Sequence, residues 1–215
     1  MTRNFRLITL VFPALSVVGA LAPAAHAGCG DTSQLQAPFV FGQPLSQSSS
    51  NAQVLLQRAK TAADAIAAGN AAATRATIVG MWRIQFISLG NTAHNPPIPD
   101  GAILDFGYVQ WHSDGTEIMN SGGHAANTGN FCMGTWVRSG YFSYELNHFA
   151  LSYDATTGNL TAKINIIEKI TLDPSGNEFA GTLVENVYDP TTGVQVDHVV
   201  GTISAQRITV DDTTP

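Results

Sequence analysis

His148 and Glu168 are the residues in this sequence whose types and spacing could do acid–base chemistry. In "YFSYELNHFALSY", Tyr141 to Tyr153, alternation puts Phe142, Tyr144, Leu146, His148 and Ala150 on one face of a strand, opposite Ser143, Glu145 and Asn147. In the next run the even positions are Leu160, Ala162, Ile164, Ile166, Glu168, Ile170 and Leu172, an apolar face carrying one carboxylate. A buried carboxylate without a partner is neutralised or strongly shifted, so Glu168 needs a donor, and His148 on the preceding strand can supply one. Such a pair in an apolar container is a general acid and base, with Tyr144 or Tyr108 to support a developing oxyanion. The plainer reading is a structural hydrogen bond, or a Glu at the rim in water.

The other histidines offer less. His26 stands in a leader-like segment, and His94, His112, His124 and His198 form no H-x-H or H-E-x-x-H pattern. A metal or haem would need ligands assembled from separate strands, so neither metal nor cofactor is expected. Cys29 and Cys132 lie in no C-x-x-C motif; in an oxidising compartment they could pair and tether the N-terminal arm, or remain one buried and one exposed thiol. Neither a G-x-S-x-G elbow nor a phosphate-binding glycine loop is present, which disfavours serine-hydrolase and nucleotide chemistry.

The elements that must position these residues follow from composition and pattern. The 215 residues are 44% hydrophobic and 12% charged with a formal net charge of -6, enough for one main domain with a real core. Mild acidity without basic clusters excludes nucleic acid as an expected partner. Residues 1–27 read as a signal peptide: Arg3 and Arg6, an apolar run from Leu7 to about Leu21, and the small-residue site Ala25-His26-Ala27. Pro13, Pro23 and the short apolar core argue against a membrane span. Cys29 could instead carry a lipid, but His26 occupies a position where a bulky aliphatic is expected, so a soluble secreted or periplasmic protein is preferred.

Residues 28–76 divide into an irregular Ser-, Gln- and Pro-rich arm and an Ala-rich helix from about Ala52 to Ala68. From 77 to 210 the chain becomes β-rich, and 211–215 read as a disordered tail. Eight strands are expected: Ile78–Ser88, Ile103–Ser113, Thr116–Ser121, Met133–Arg138, Tyr141–Tyr153, Leu160–Leu172, Glu178–Tyr188 and Val194–Val210. Hairpin turns separate them, including "YDATTGN" and "YDPTTGV", whose similarity reads as shared turn chemistry rather than duplication. Eight antiparallel neighbours escape exposed edges by closing into an up-and-down barrel, so the expected class is all-β, one N-terminal helix before an eight-stranded barrel.

On the first strand Ile78, Gly80, Trp82, Ile84 and Phe86 form the core face. The second gives Leu104, Phe106, Tyr108, Gln110 and His112 on one side, and the last gives Val196, His198, Val200, Thr202 and Ser204; both registers stay open. On the seventh, Phe179, Leu183, Glu185 and Val187 compete with Val184, Asn186 and Tyr188.

Gly80-x-Trp82 on the first strand, the meander, and Arg207 near the end of the last strand together resemble the lipocalin-like, or calycin, superfamily of secreted barrels, with allene oxide cyclase or dirigent-type barrels as relatives. The resemblance implies that Trp82 closes the barrel base beneath Arg207, a cation over an aromatic face. It also implies that the proline-bearing loop Gly90 to Gly101 lies over the open mouth, bordered by the Gly-rich loop Asn120 to Phe131. A small hydrophobic molecule is then the expected partner, bound between Phe86, Tyr108, Tyr144, His148 and Ile166. The alternative is a cofactor-independent isomerase, cyclase or lyase using His148, Glu168 and Tyr144 in the same cavity. A third, weaker reading is a structural barrel packed solid. The oligomeric state is left open.

Overall fold

The computed structural model describes residues 57, 58, 60, 61, 64 and 76–213. The expected leader and arm lie outside the described residues, as does most of the Ala-rich helix. Eight strands follow: β1 (Gly80–Asn91), β2 (Ile98–Trp111), β3 (Thr116–Ser121), β4 (Phe131–Arg138), β5 (Ser143–Tyr153), β6 (Leu160–Leu172), β7 (Glu178–Tyr188) and β8 (Gln195–Ile208). Each pairs antiparallel with its sequence neighbours, and β8 returns to β1 to close the barrel. Closure leaves no unpaired edge, as the hairpin-rich sequence anticipates.

The turns are set by side chains that bond their own backbone. Asp154 Oδ1 accepts from the Thr156 and Thr157 amides and the Thr157 hydroxyl, and Asp189 Oδ1 accepts from Thr191 and Thr192 in the same way. Each turn then closes through a glycine at positive φ, Gly158 and Gly193, both at 71°. The repeated "YD-x-TTG" is thus one turn chemistry used twice.

Alternation sorts the strands into an inner and an outer face. Trp82, Ile84 and Phe86 on β1, Tyr144 to Ala150 at even positions on β5, and the even positions of β6 from Ala162 to Leu172 are buried as expected. On β7 the inner set is Phe179, Leu183 and Glu185, and on β8 it is Val199, Ile203 and Ala205. β2 takes the other parity from the face built on Tyr108: Gly80, Trp82, Ile84 and Phe86 pair with Trp111, Val109, Gly107 and Asp105, so the odd positions point inward. A register shift after Phe86 buries Leu104 as well as Asp105. Phe106, Tyr108 and Gln110 therefore stand on the other face.

The two ends of the barrel differ. At the base, Trp82, Trp111, Trp136, Tyr144 and Phe179 interlock, with ring centroids 4.9 Å apart for Trp82 and Phe179 and 5.6 Å for both Trp111–Trp136 and Trp136–Tyr144. The Trp82 indole donates to the Ile78 carbonyl at 2.8 Å, and the Arg207 guanidinium lies 4.1 Å from the Trp82 ring centroid. Arg207 also donates to the carbonyls of Thr77, Val79 and Gly176. Gly80, at φ 137°, is required there, because the guanidinium occupies the space a Cβ would need. The resemblance's reading of Gly80, Trp82 and Arg207 agrees with this geometry.

At the other end the first loop is shorter than expected. β1 runs to Asn91 and β2 starts at Ile98, since Leu89 pairs with Asp100 and Asn91 with Ile98 across the register shifts. Only 92–97 are left to connect them. Asn91 Oδ1 accepts from the Ala93 and His94 amides, Asn91 Nδ2 donates to the His198 carbonyl at 2.9 Å, and His94 Nε2 lies 3.1 Å from Asp197 Oδ2. The connection is fastened to β8.

Candidate functional site

Midway along the barrel the apolar lining gives way to ionisable groups. His148 on β5, Glu117 on β3, Glu168 on β6, Asp105 on β2 and Glu185 on β7 are all buried, none more than 2% exposed. His148 Nδ1 lies 3.4 Å from Glu117 Oε2, an ion-pair distance too long for a well-formed hydrogen bond. The carboxylate nearest His148 is thus Glu117, which the sequence reading did not single out. Glu168 takes part through charge, as one of the groups acting on His148.

Gly134 makes the Glu117–His148 pair possible. It is the β4 residue between them, paired with Glu117 on one side and His148 on the other. A Cβ there would meet His148 Cβ at 2.6 Å, Leu146 Cδ1 at 2.7 Å and Glu117 Oε2 at 3.0 Å. The missing side chain lets groups on two non-adjacent strands meet inside the barrel.

Burial pushes the Glu168 carboxyl up to about 7, with the His148 charge pulling it down and Glu117 pushing it further up. For His148 burial works against protonation, yet the Glu117 carboxylate beside it and the charges of Glu168 and Asp105 outweigh this and raise it. Burial likewise raises Asp105, against the His124 charge and the donors that hold Oδ1. Those donors are the Phe106 amide at 2.7 Å, the Ser121 hydroxyl at 2.8 Å and the Gly123 amide at 3.1 Å. Asp105 thereby anchors the start of the Gly-rich loop, with His124 beside it.

Hydrogen-bonding capacity in this cluster is unmet. Among the described residues, Glu117 Oε1, Glu168 Oε2, Asp105 Oδ2 and His148 Nε2 are buried without a hydrogen-bond partner. Buried polar atoms of this kind are uncommon and call for a ligand, a water or a catalytic role. No group of three His, Cys, Asp or Glu side chains among the described residues is placed to hold a metal ion.

Of the residues expected to line a ligand site, Phe86, His148 and Ile166 face the interior and are completely buried. Tyr144 faces inward but belongs to the base, packed on Trp111 and Trp136, roughly 13 Å along β5 from His148 at about 3.3 Å per residue. Tyr108 stands on the outer face of β2, paired with Arg83 and Asn120. Neither tyrosine is positioned to support an oxyanion beside His148. Cys132 is buried on β4 and disulfide-bonded; Cys29, the other cysteine of the sequence, lies outside the described residues.

A closed eight-stranded antiparallel barrel fits a lipocalin-like barrel in general. No protein-family profile matches the chain, and no curated protein matches its sequence. Among the described residues no helix is long and apolar enough to cross a membrane.

Proposed function

We propose that this is a lipocalin-like barrel that binds a small, mostly apolar molecule in its interior, with a polar end directed at Glu117, His148 and Glu168. The observation that carries the reading is the set of unpartnered polar atoms on these three buried side chains, set among buried apolar residues such as Phe86, Leu146 and Ile166. Leaving such an atom without a partner costs about 1–3 kcal/mol, so a ligand that supplies the missing hydrogen bonds gains affinity from groups already in place. Phe86 and Ile166 offer the apolar wall, and the aromatic base closes the far end, so exchange takes place past the 92–97 connection. The secreted or periplasmic location belongs to the same proposal, supported by the leader-like N-terminus and by the disulfide at Cys132. The test is native mass spectrometry of the purified mature protein after mild extraction, followed by a diverse hydrophobic library. A ligand at one per chain is expected; failure of the whole library would refute the reading.

A second reading is favoured by the shifted acidities: a carboxyl raised to about 7 by burial, coupled through charge to a histidine that the surrounding carboxylates make more basic, is a proton donor and acceptor pair. In this version the barrel is a cofactor-independent isomerase, cyclase or lyase in which Glu168 and His148 exchange protons with substrate, without Tyr144. His148→Ala and Glu168→Gln would then each abolish turnover of a captured ligand. Turnover that persists in both variants would eliminate it.

A further inference from the structure

The geometry points to a ligand whose polar end is a hydrogen-bond donor carrying positive charge, an amine in place of the carboxylate of a fatty acid. The inference rests on the binding reading above and assigns the chemical class of what is bound.

The charge balance of the interior carries it. Asp105, Glu117 and Glu168 are buried with only His148 as a buried basic group, even leaving Glu185 aside, and no Lys or Arg is buried among the described residues. Arg207 spends its guanidinium on the base, over Trp82 and against three backbone carbonyls. His148 is matched by Glu117 at 3.4 Å and Asp105 has the charge of His124 beside it, which leaves Glu168 in excess. The unmet atoms on these acids, Glu117 Oε1, Glu168 Oε2 and Asp105 Oδ2, are oxygens.

An ionised carboxyl only accepts hydrogen bonds, whereas an ammonium has three donors and no acceptor. An ammonium among these oxygens pairs a desolvated charge with its opposite. A ligand carboxylate there could accept from His148 Nε2, but it would add a like charge to the buried acids in a low-dielectric interior. A hydroxyl falls between the two, donating one bond without cancelling charge.

Three probes of equal chain length separate these cases: decylamine, decanol and decanoate, titrated calorimetrically into the full mature chain at pH 7.5 below their aggregation limits. Decylamine is expected to bind at one per chain at least tenfold tighter than decanol, with decanoate weakest. In Glu168→Gln, confirmed as folded by its thermal transition, the preference for decylamine over decanol should fall at least tenfold. Decanoate or decanol bound as tightly as decylamine overturns the assignment and leaves the binding reading standing. An unchanged amine preference in Glu168→Gln overturns it as well, since the selectivity would then arise elsewhere on an acidic protein. Binding of none of the three removes the binding reading for ligands of this length, and the inference with it.

Discussion

Replacing Glu168 with Gln should stabilise the protein at alkaline pH and leave it nearly unchanged in acid. Folded, the Glu168 carboxyl keeps its proton to about pH 7; unfolded, it releases it near its ordinary value of 4.5. Between those values the folded state binds more protons than the unfolded state, so the stability that Glu168 permits is present below pH 4.5 and lost as pH rises through 7. At 1.36 kcal/mol per pH unit the difference amounts to about 3 kcal/mol. Gln keeps the shape of the protonated acid and does not titrate. At pH 8 the variant should therefore exceed the wild type by up to about 3 kcal/mol, or about 6–12 °C in Tm for a chain of this size. At pH 4.5 the two should coincide. Asp105 and His148, also raised by their surroundings, tilt both proteins in the same direction and largely cancel in the comparison. The other titratable groups facing Glu168 are Glu117 and Glu185; the inner faces of β1, β4 and β8 add none at this level. Urea unfolding from pH 4.5 to 8.5 measures the difference. A gap that stays constant across that range, or a variant less stable at pH 8, would refute the account of Glu168 as a carboxyl held neutral by burial.

Gly134→Ala should cost about 1–3 kcal/mol, because the added methyl overlaps His148 Cβ and Leu146 Cδ1, and it should separate Glu117 from His148; denaturant unfolding with an NMR titration of His148 reads both effects. Arg207→Ala should lose about 2–4 kcal/mol through the ring contact with Trp82 and three carbonyl partners, visible as earlier exposure of tryptophan fluorescence on heating. Asp197→Ala, which removes the partner of His94, should speed association and dissociation of a bound probe by similar factors with little change in Kd, read by stopped-flow fluorescence.

The barrel was legible because its signals are local. Asp and Gly placed the hairpins, and alternation on β1, β5 and β6 was unambiguous, so Trp82, His148, Ile166 and Glu168 fell on the inner face from pattern alone. β2 stayed open because both parities carry aromatic residues and the register shift after Phe86 breaks the simple period of two, and placing Tyr108 in the site chose the wrong parity. That error hid Glu117. With Trp111 pointing inward, its pairing with Glu117 puts that carboxylate inside as well, although Ile118 beside it looks the better core residue. The part played by Gly134 was beyond reach, since it consists of space between strands and shows only once the register is known. Tyr144 was read on the correct face at the wrong height, because alternation reports which way a side chain points and says nothing about which end of the barrel it occupies.

Arg207 has a consequence for how the protein is made. It bonds the Val79 carbonyl 128 residues away in sequence, where it fastens β8 to the segment just before β1 and covers Trp82. Contacts so distant along the chain are slow to form, and during synthesis Trp82 leaves the ribosome long before Arg207 does. Trp82 thus waits, uncovered, until β8 has been made. A chain that stops short of Arg207 would present an unsealed base and a bare indole to the quality-control machinery, so the closing arginine marks a completed barrel.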